Sequence, residues 1–507
     1  MPALHDHALA RVAAGKAPAT ALAAYSRGVP AAAGLAGNAT SAGAAPTTTT
    51  AFRIASCTKS FTAAAILILR DRGRLRLDDD VANYLPMLNL RGPDGSAWPG
   101  GMTVRMLLSM SGGLPTDDPW ADRQESMSGE DFSRLLAGGV RLVRPPGAGY
   151  EYSNLGYAML GRIIELASES PYTDFVTQEL LLPLRLAGTA FSQGEILAVS
   201  GRATEVAAGY RRAGPATADS AAFAVSGPAG VPWKELPQTG PGAFSCIGGL
   251  YSTLDDLGRW TAWLSDAFSW GADDGPLSRA SRREMQTMHQ LTGPPEPDGT
   301  INGYGYGLVV QEHSVHGTIV GHSGGYPGFS SHMRWHPGHS LAVIGFENAT
   351  YANVGLVVRP ALEELLDRVD PHGPARGACV PSVSPSWNGP ELPAEVAPWP
   401  ETLAAIADVE DMVRALSLPG DGHLFSPNVA LDVPWPERLA DLHAALAAVG
   451  PILPAGEELC RGERPTWSTP AAVQWTMPAG NGALKLRITM TPVNPPQVQL
   501  LEISATS

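Results

Sequence analysis

Phe52-Arg53-Ile54-Ala55-Ser56-Cys57-Thr58-Lys59-Ser60-Phe61-Thr62 is the segment on which the reading of this chain turns. Ser56 and Lys59 stand three residues apart, so on a helix they share one face, about one turn apart. Ser56 falls at the start of that helix, where free backbone N–H groups and the dipole favour developing negative charge. A serine hydroxyl is a weak nucleophile and needs an adjacent base. A lysine whose pKa is lowered by burial can be that base. The plainer reading is a helix cap followed by a solvated lysine, and two observations weigh against it. The chain has only four lysines, at 16, 59, 234 and 485, and none of the other three has a serine three residues earlier. Apolar residues follow at once, so Lys59 enters a buried helix and needs a reason to be there.

Working outward, Phe61 to Arg70 reads as that buried helix, with a glycine stop near Asp71-Arg72-Gly73. A serine–lysine pair needs a further polar partner to carry the proton onward, and Tyr-x-Asn occurs twice, at Tyr152-Ser153-Asn154 and Tyr351-Ala352-Asn353. The first follows the loop Pro145-Pro146-Gly147 and opens Asn154 to Ser168, whose apolar residues recur at helical spacing. Tyr152 and Asn154 are therefore chosen, and the second copy reads as an ordinary loop. His322-Ser323-Gly324-Gly325 follows the apolar run Thr318–Gly321. On an edge strand it would present one backbone N–H to a substrate oxygen while its small residues admit the substrate. Alone, that histidine reads as a satisfied turn residue. His336-Pro337-Gly338 reads as a hairpin turn, since proline lacks the needed N–H.

Short apolar runs at Tyr306–Val310, Thr318–Gly321, Ser331–Trp335 and Leu341–Phe346 predict successive antiparallel strands. Thr20–Tyr25 and Gly28–Gly34 predict a hairpin after an N-terminal helix. Helices followed by a block of strands predict a mixed α/β (α+β) fold: an antiparallel sheet flanked by helices, with a helical lobe. Asp370 to Pro400 is rich in proline and without period, which reads as a linker. Beyond it, helices at Glu401–Leu416 and Pro436–Val449 and strands at Ala471–Met477, Ala483–Thr491 and Gln497–Ser504 predict a small α+β unit with no convincing catalytic group. Its helix-then-strands order suggests a cystatin-like or nuclear-transport-factor-like shape. The expected organisation is residues 1–370 as the catalytic domain, 371–400 as linker and 401–507 as accessory domain.

The whole chain bounds the rest. A length of 507 residues exceeds one ordinary core, and 44% hydrophobic with 17% charged residues fits a well-packed soluble enzyme. With 56 glycines and 45 prolines, the chain is rich in loops. A net charge of −14 argues against nucleic acid and gives no attraction to anionic lipid. Cys57, Cys246, Cys379 and Cys460 are too far apart in sequence for a zinc site and do not suit a disulfide scaffold. Met1 to Lys16 lacks the apolar run of a signal peptide, so a cytoplasmic protein without a membrane partner is expected. No H-E-x-x-H occurs, and Gly303-Tyr304-Gly305-Tyr306-Gly307 has the wrong spacing for a nucleotide fingerprint. Neither a metal nor a cofactor is expected.

Together the segments resemble the serine β-lactamase and penicillin-binding-protein family, particularly class C β-lactamases, DD-peptidases and related esterases. The likeness covers roughly residues 10 to 360 and keeps the family's order: S-x-x-K at 56–59, Y-x-N at 152–154 and H-S-G at 322–324. Leu107–Pro115, Tyr152–Gly156, Gly248–Asp256 and Gly321–Phe329 add to it. The resemblance implies a β-lactamase/transpeptidase-like fold with the site between sheet and helical lobe. It implies that Ser56 attacks a carbonyl to form an acyl-enzyme, with Lys59 and Tyr152 sharing the general-base role. Asn154 would hold Lys59 and the substrate amide, and His322, Ser323 and Gly324 would line the substrate. The N–H groups of Ser56 and Gly325 would form the oxyanion hole. His322 replaces the lysine common in true β-lactamases, and Met110 stands where a histidine or threonine is frequent, so that loop receives no role.

The expected activity is therefore hydrolysis of esters, amides or peptides, with D-configured residues in view and β-lactam turnover at most minor. Acyl transfer to an amine, as in penicillin-binding-type thioesterases that cyclise or release peptides from a carrier protein, uses the same acyl-enzyme. A non-catalytic binding relative is the third reading. The pocket walls are assigned to loops at Trp120–Glu130, Pro215–Pro241 and Leu291–Ile301.

Overall fold

The computed structural model describes residues 3–199, 205–213, 224–226, 231–270, 275–370, 397–417, 423–454 and 465–506. Nearly all of the expected linker, about half of the Pro215–Pro241 loop, Cys379 and Cys460 lie outside them.

One eight-stranded antiparallel sheet organises the first 370 residues. It is built from β1 (Ala19–Ser26), β2 (Val29–Gly37), β3 (Gln290–Leu291), β4 (Ile301–Tyr304), β5 (Val309–His313), β6 (Gly317–Tyr326), β7 (Phe329–His336) and β8 (Leu341–Glu347), in spatial order β3-β4-β5-β6-β7-β8-β1-β2. The chain thus closes on itself where β1 pairs with β8, Thr20 opposite Glu347 and Ser26 opposite Leu341. One face carries the N-terminal helix α1 (Ala3–Ala13) and the helix after β8, Gly355–Val369, through Leu4, Ala8, Val12, Val358 and Leu362. Arg11 reaches across that layer to place a two-pronged ion pair on buried Glu347 at 2.7 Å.

The other face packs against the lobe that contains α2 (Thr58–Asp71), α3 (Asn154–Ser168) and α4 (Leu254–Asp266). Every residue of α2 from Thr58 to Leu69 is buried, as the apolar run requires, and the stacked rings of Phe61 and Trp260 lie 3.9 Å apart between α2 and α4. The helix begins three residues earlier than the apolar period alone predicts, because a tight turn at Ala55–Cys57 feeds directly into it. The hairpin at Pro337 joins β7 to β8 as expected, while β5 starts at Val309 rather than Tyr306.

A second core forms beyond residue 397. Helices at Pro400–Ala415 and Trp435–Val449 lie with a four-stranded antiparallel meander, Thr466–Thr469, Ala472–Ala479, Gly482–Met490 and Val498–Thr506. Val409, Trp475, Leu486 and Ile488 pack in its centre, joined by Val143 of the preceding part. The contact between the two parts is polar and specific. Arg141 bonds Glu401 at 2.6 Å, its backbone N–H donates to the Pro492 carbonyl, and Arg211 grips Glu437 with two bonds of 2.8 and 2.9 Å. Arg211 and Glu437 are both buried. Removing one partner of a buried pair strands the other charge, which costs about 3 kcal/mol or more, whereas replacing both by apolar groups is far milder. Glu437→Ala is therefore expected to lower the urea unfolding free energy by about 3 kcal/mol, and Arg211→Met/Glu437→Leu to recover most of it.

Candidate active site

Ser56 sits in the turn Ala55–Cys57 and is the only residue between Ala51 and Ser60 that is not fully buried. Ala55 before it has φ of 47°, a left-handed conformation that a residue with a Cβ adopts only at a cost. The turn is held from outside. Ser331 of β7 donates to the Ile54 carbonyl at 2.6 Å, and Ile54 donates its N–H to Leu250. Arg53, wholly buried, forms an ion pair with Glu125 and stacks its guanidinium 3.9 Å from the Tyr326 ring centre.

One turn along α2, Lys59 is 0% exposed and its Nζ lies 2.9 Å from Ser56 Oγ and 3.0 Å from the Ile247 carbonyl oxygen. Burial pushes its pKa down to about 8, against the opposing pull of Asp118, Asp122 and Asp117. Above that pH the amine is largely neutral. It then donates one N–H to Ile247 and turns its lone pair to the Ser56 hydroxyl, as a general base must.

Tyr152 lies against Ser56, with its ring centre 5.1 Å from Lys59 Nζ. Burial, and then Asp118, hold its phenol well above the ordinary tyrosine range, so it stays protonated. Its neighbours are positioned by Asp117, which accepts from the N–H groups of Asn154 at 2.7 Å and Leu155 at 2.8 Å and from the Ser153 hydroxyl at 3.3 Å. That satisfies the free donors at the start of α3. Met110, itself left-handed with φ of 57°, accepts the Ser153 N–H on its sulfur at 3.4 Å. The loop that received no role from sequence thus supports the Tyr152–Asn154 turn.

Asn154 departs from expectation. Its Nδ2 donates to Asp118 Oδ1 at 2.6 Å and its Oδ1 has no hydrogen-bond partner, so the expected bond to Lys59 is replaced by one to Asp118. A carboxylate this close accepts the amide N–H more strongly than a neutral acceptor does.

His322 also departs. The ring is buried, Nε2 lies 3.0 Å from the Tyr304 hydroxyl and Nδ1 2.6 Å from the Ser323 carbonyl oxygen. The carbonyl only accepts, so Nδ1 carries the proton and Nε2 accepts from Tyr304. Burial, helped by Lys59, lowers its pKa to about 3, so it is neutral across the working range. Both ring nitrogens are spent inside the protein, whereas the Ser323 side chain is exposed.

The strand that carries His322 is interior rather than an edge: β6 pairs with β5 and β7. Its pairing with β5 stops at Gly321, however, so His322 to Tyr326 has a free side there. Gly324 and Gly325 are required by close approach. A Cβ at Gly324 would meet the Ile54 carbonyl oxygen at 2.4 Å, and one at Gly325 would meet the Tyr351 ring at 2.3 Å. The second Tyr-x-Asn is thus more than an ordinary loop. Tyr351 covers Gly325 and its hydroxyl donates to Asp122 at 2.6 Å.

Asp117, Asp118, Asp122, Tyr304 and Tyr351 were the site residues that sequence reading missed. Asp117-Asp118-Pro119 has the acidic, proline-bearing composition of a helix start, which was the available signal. Cys57 and Cys246 are free and buried, and no metal-binding group of histidine, cysteine or carboxylate side chains occurs among the described residues. No helix among them is long and apolar enough to cross a membrane.

With this geometry in view, the comparisons with known proteins agree. The Beta-lactamase family model matches residues 5–367, and the chain belongs to that family, whose members include serine hydrolases. It is 28% identical over 305 residues to Protein flp of Staphylococcus aureus strain N315, 59% of this chain and 53% of that protein. The matched region thus spans about half the length of that curated relative. Among solved structures, the octameric penicillin-binding protein homologue from Pyrococcus abyssi superposes with a TM-score of 0.57 at 19% identity over 99% of both chains. The D-amino acid amidase from Ochrobactrum anthropi gives a TM-score of 0.54 at 25% identity over 73% of this chain and 97% of the other.

Replacing Asp117 by alanine removes the acceptor for two buried N–H groups and a hydroxyl. Asp117→Ala is expected to lower the unfolding free energy by about 1–2 kcal/mol in urea titration.

Proposed function

We propose that this chain is a serine acyl-transfer enzyme that hydrolyses esters or amides and peptides through an acyl-enzyme on Ser56. The observation that carries the reading is the 2.9 Å contact between the Ser56 hydroxyl and the buried, pKa-depressed Lys59. Ser56 Oγ attacks the substrate carbonyl while its proton passes to Lys59. The N–H groups of Ser56 and Gly325 receive the developing oxyanion. Tyr152, kept as a phenol, relays a proton to the leaving group and is recharged from Lys59, and a water then reverses the path to release the acid. Asn154, Ser323 and Gly324 line the substrate, and His322 acts as a buried support for that strand. Likeness to a D-amino acid amidase supports D-configured amides as first substrates to try. A cytoplasmic location belongs to the same proposal.

Acyl transfer to an amine is the second reading. Asp118 and Asp122 bring two carboxylates to the wall between Asn154 and Tyr351, where an incoming amine could be held. Product analysis with added amine acceptors separates the two: free acid alone means hydrolysis, and a new amide means transfer.

Intact-protein mass after exposure to a fluorophosphonate and, separately, a penicillin tests the nucleophile. One adduct on wild type and none on Ser56→Ala is expected. No adduct on either protein would sink the reading and favour a non-catalytic binding relative. The rate of adduct formation is expected to rise with pH through a midpoint near 8, as Lys59 loses its proton. Lys59→Met is expected to lower that rate by about a thousandfold and to remove the midpoint, while leaving far-ultraviolet circular dichroism unchanged.

A further inference from the structure

The segment whose carboxylates act on Lys59 is itself held from the C-terminal part. Gln499, on the strand Val498–Thr506, is 1% exposed, and its side-chain amide makes three bonds that use both of its N–H donors. Its Oε1 accepts the Trp120 N–H at 3.2 Å, and its Nε2 donates to the Thr116 carbonyl at 3.0 Å and to the Met490 carbonyl at 2.8 Å. One end of this amide is fixed within its own sheet and the other spans the segment from Thr116 to Trp120. The Trp120 N–H belongs to the first turn of Asp118–Ala121 and has no carbonyl four residues back within that turn to bind it. Seven residues along from Thr116, Arg123 donates to Asp432 at 2.9 Å and to the Leu431 carbonyl at 3.3 Å. Asn428 ties both anchors together, donating to the Gln499 carbonyl at 2.8 Å and to Asp432 at 3.3 Å.

Between those anchors stand Asp117, Asp118 and Asp122, which hold α3, the Asn154 side chain and Tyr351 in turn. We propose that Gln499 is a positioning residue of the active site, fixing the segment Thr116–Arg123 at the place from which its carboxylates set Asn154 and Lys59. The proposal rests on the Ser56–Lys59 reading above. Simple attachment of two parts would need no contact at this segment, since Arg141–Glu401 and Arg211–Glu437 already provide it. The groups that face Lys59 are Asp117, Asp118 and Asp122 from this segment, Tyr152 and Tyr157 from α3 and its approach, Cys57 on the preceding turn, Cys246 from Ser245–Gly248 and His322 from β6. Burial raises the pKa of all three carboxylates, Asp117 to about 7 and Asp122 well above the ordinary range, so each takes up charge as the pH rises, and their placement sets how strongly that charge is felt at Lys59.

The test uses the full chain and the rate of fluorophosphonate labelling of Ser56 against pH. Gln499→Met removes all three bonds at nearly constant volume, and Gln499→Asn keeps the chemistry but is one methylene too short. Gln497→Met, which loses only an exposed bond to the His423 carbonyl, serves as the control. In both Gln499 variants the carboxylates pull less on Lys59, so the midpoint is expected to fall by about half a pH unit or more, while the limiting rate above it falls by about tenfold because Asn154 loses its position on Asp118. The control is expected to match wild type in both. Folded Gln499 variants with a wild-type rate, or with a lowered rate and an unmoved midpoint, would overturn the proposal. So would failure of both to fold, because a residue needed only for stability is not a positioning residue. Wild-type protein without a Ser56 adduct would overturn the underlying reading, and this one with it.

Discussion

An amine held out of water beside a serine is the constraint on which the rest of this molecule depends. A lysine at zero exposure is tolerated only when it is paired or can shed its proton. Here it does the second. Lys59 has the Ile247 carbonyl as one fixed acceptor and the Ser56 hydroxyl as the other partner, with no carboxylate in direct contact among the described residues. The lobe that buries it, α2 with α3 and α4, is the same lobe whose apolar packing makes up much of the core. Stability and basicity therefore come from one source: the apolar surface that holds the lobe together also desolvates the amine.

That dependence explains which features were legible in the sequence. Helix α3 was readable from its apolar period and matches residue for residue, because a helix buried along one face must repeat every three to four residues. Strands β6 to β8 were readable as apolar runs, though β6 was predicted too short: Ser323, Gly324 and Gly325 have no side-chain pattern, and only pairing with Ser330 to His332 makes them strand. The Ser56–Lys59 contact could be anticipated because its spacing is local, and Tyr152 was picked out by its own local Tyr-x-Asn at the start of α3. Asp118, Tyr304, Tyr351 and Gln499 were not. The partners that place them around the site lie 18 to 383 positions away, and nothing in a local window records such a contact.

The His322 segment shows how a correct motif can carry a wrong role. Read alone, the histidine of H-S-G-G was a satisfied turn residue, and only the family resemblance offered it to the substrate. The fold instead runs β6 past the end of β5, so that the backbone of His322–Tyr326 is free on one side, and turns the imidazole into a strut between Tyr304 and the Ser323 carbonyl. Two glycines then let the strand touch the Ser56 turn and the Tyr351 ring. What the motif specifies is the path of a backbone, and the histidine locks that path without charge.

Two opposed effects meet at Lys59, and they arise in different parts of the chain. Desolvation lowers its proton affinity and comes from the helical lobe, while the three aspartates raise it and come from Thr116–Arg123. Coulomb interactions across a weakly polarisable interior change steeply with distance, whereas burial by a packed lobe changes little with small displacements. The aspartates are thus the sensitive half of the balance. Their own segment is too short to be rigid by itself: a single helical turn, with its first N–H groups bare, is kept in register by whatever bonds it from outside. In this fold Gln499 and Asp432 bond it from the C-terminal part, beside the bonds that Thr116, Asp117, Asp118 and Asp122 make to Glu151, the start of α3 and Tyr351. A part of the chain with no group near the serine among its described residues therefore holds the more adjustable of the two terms that decide when Lys59 can act as a base.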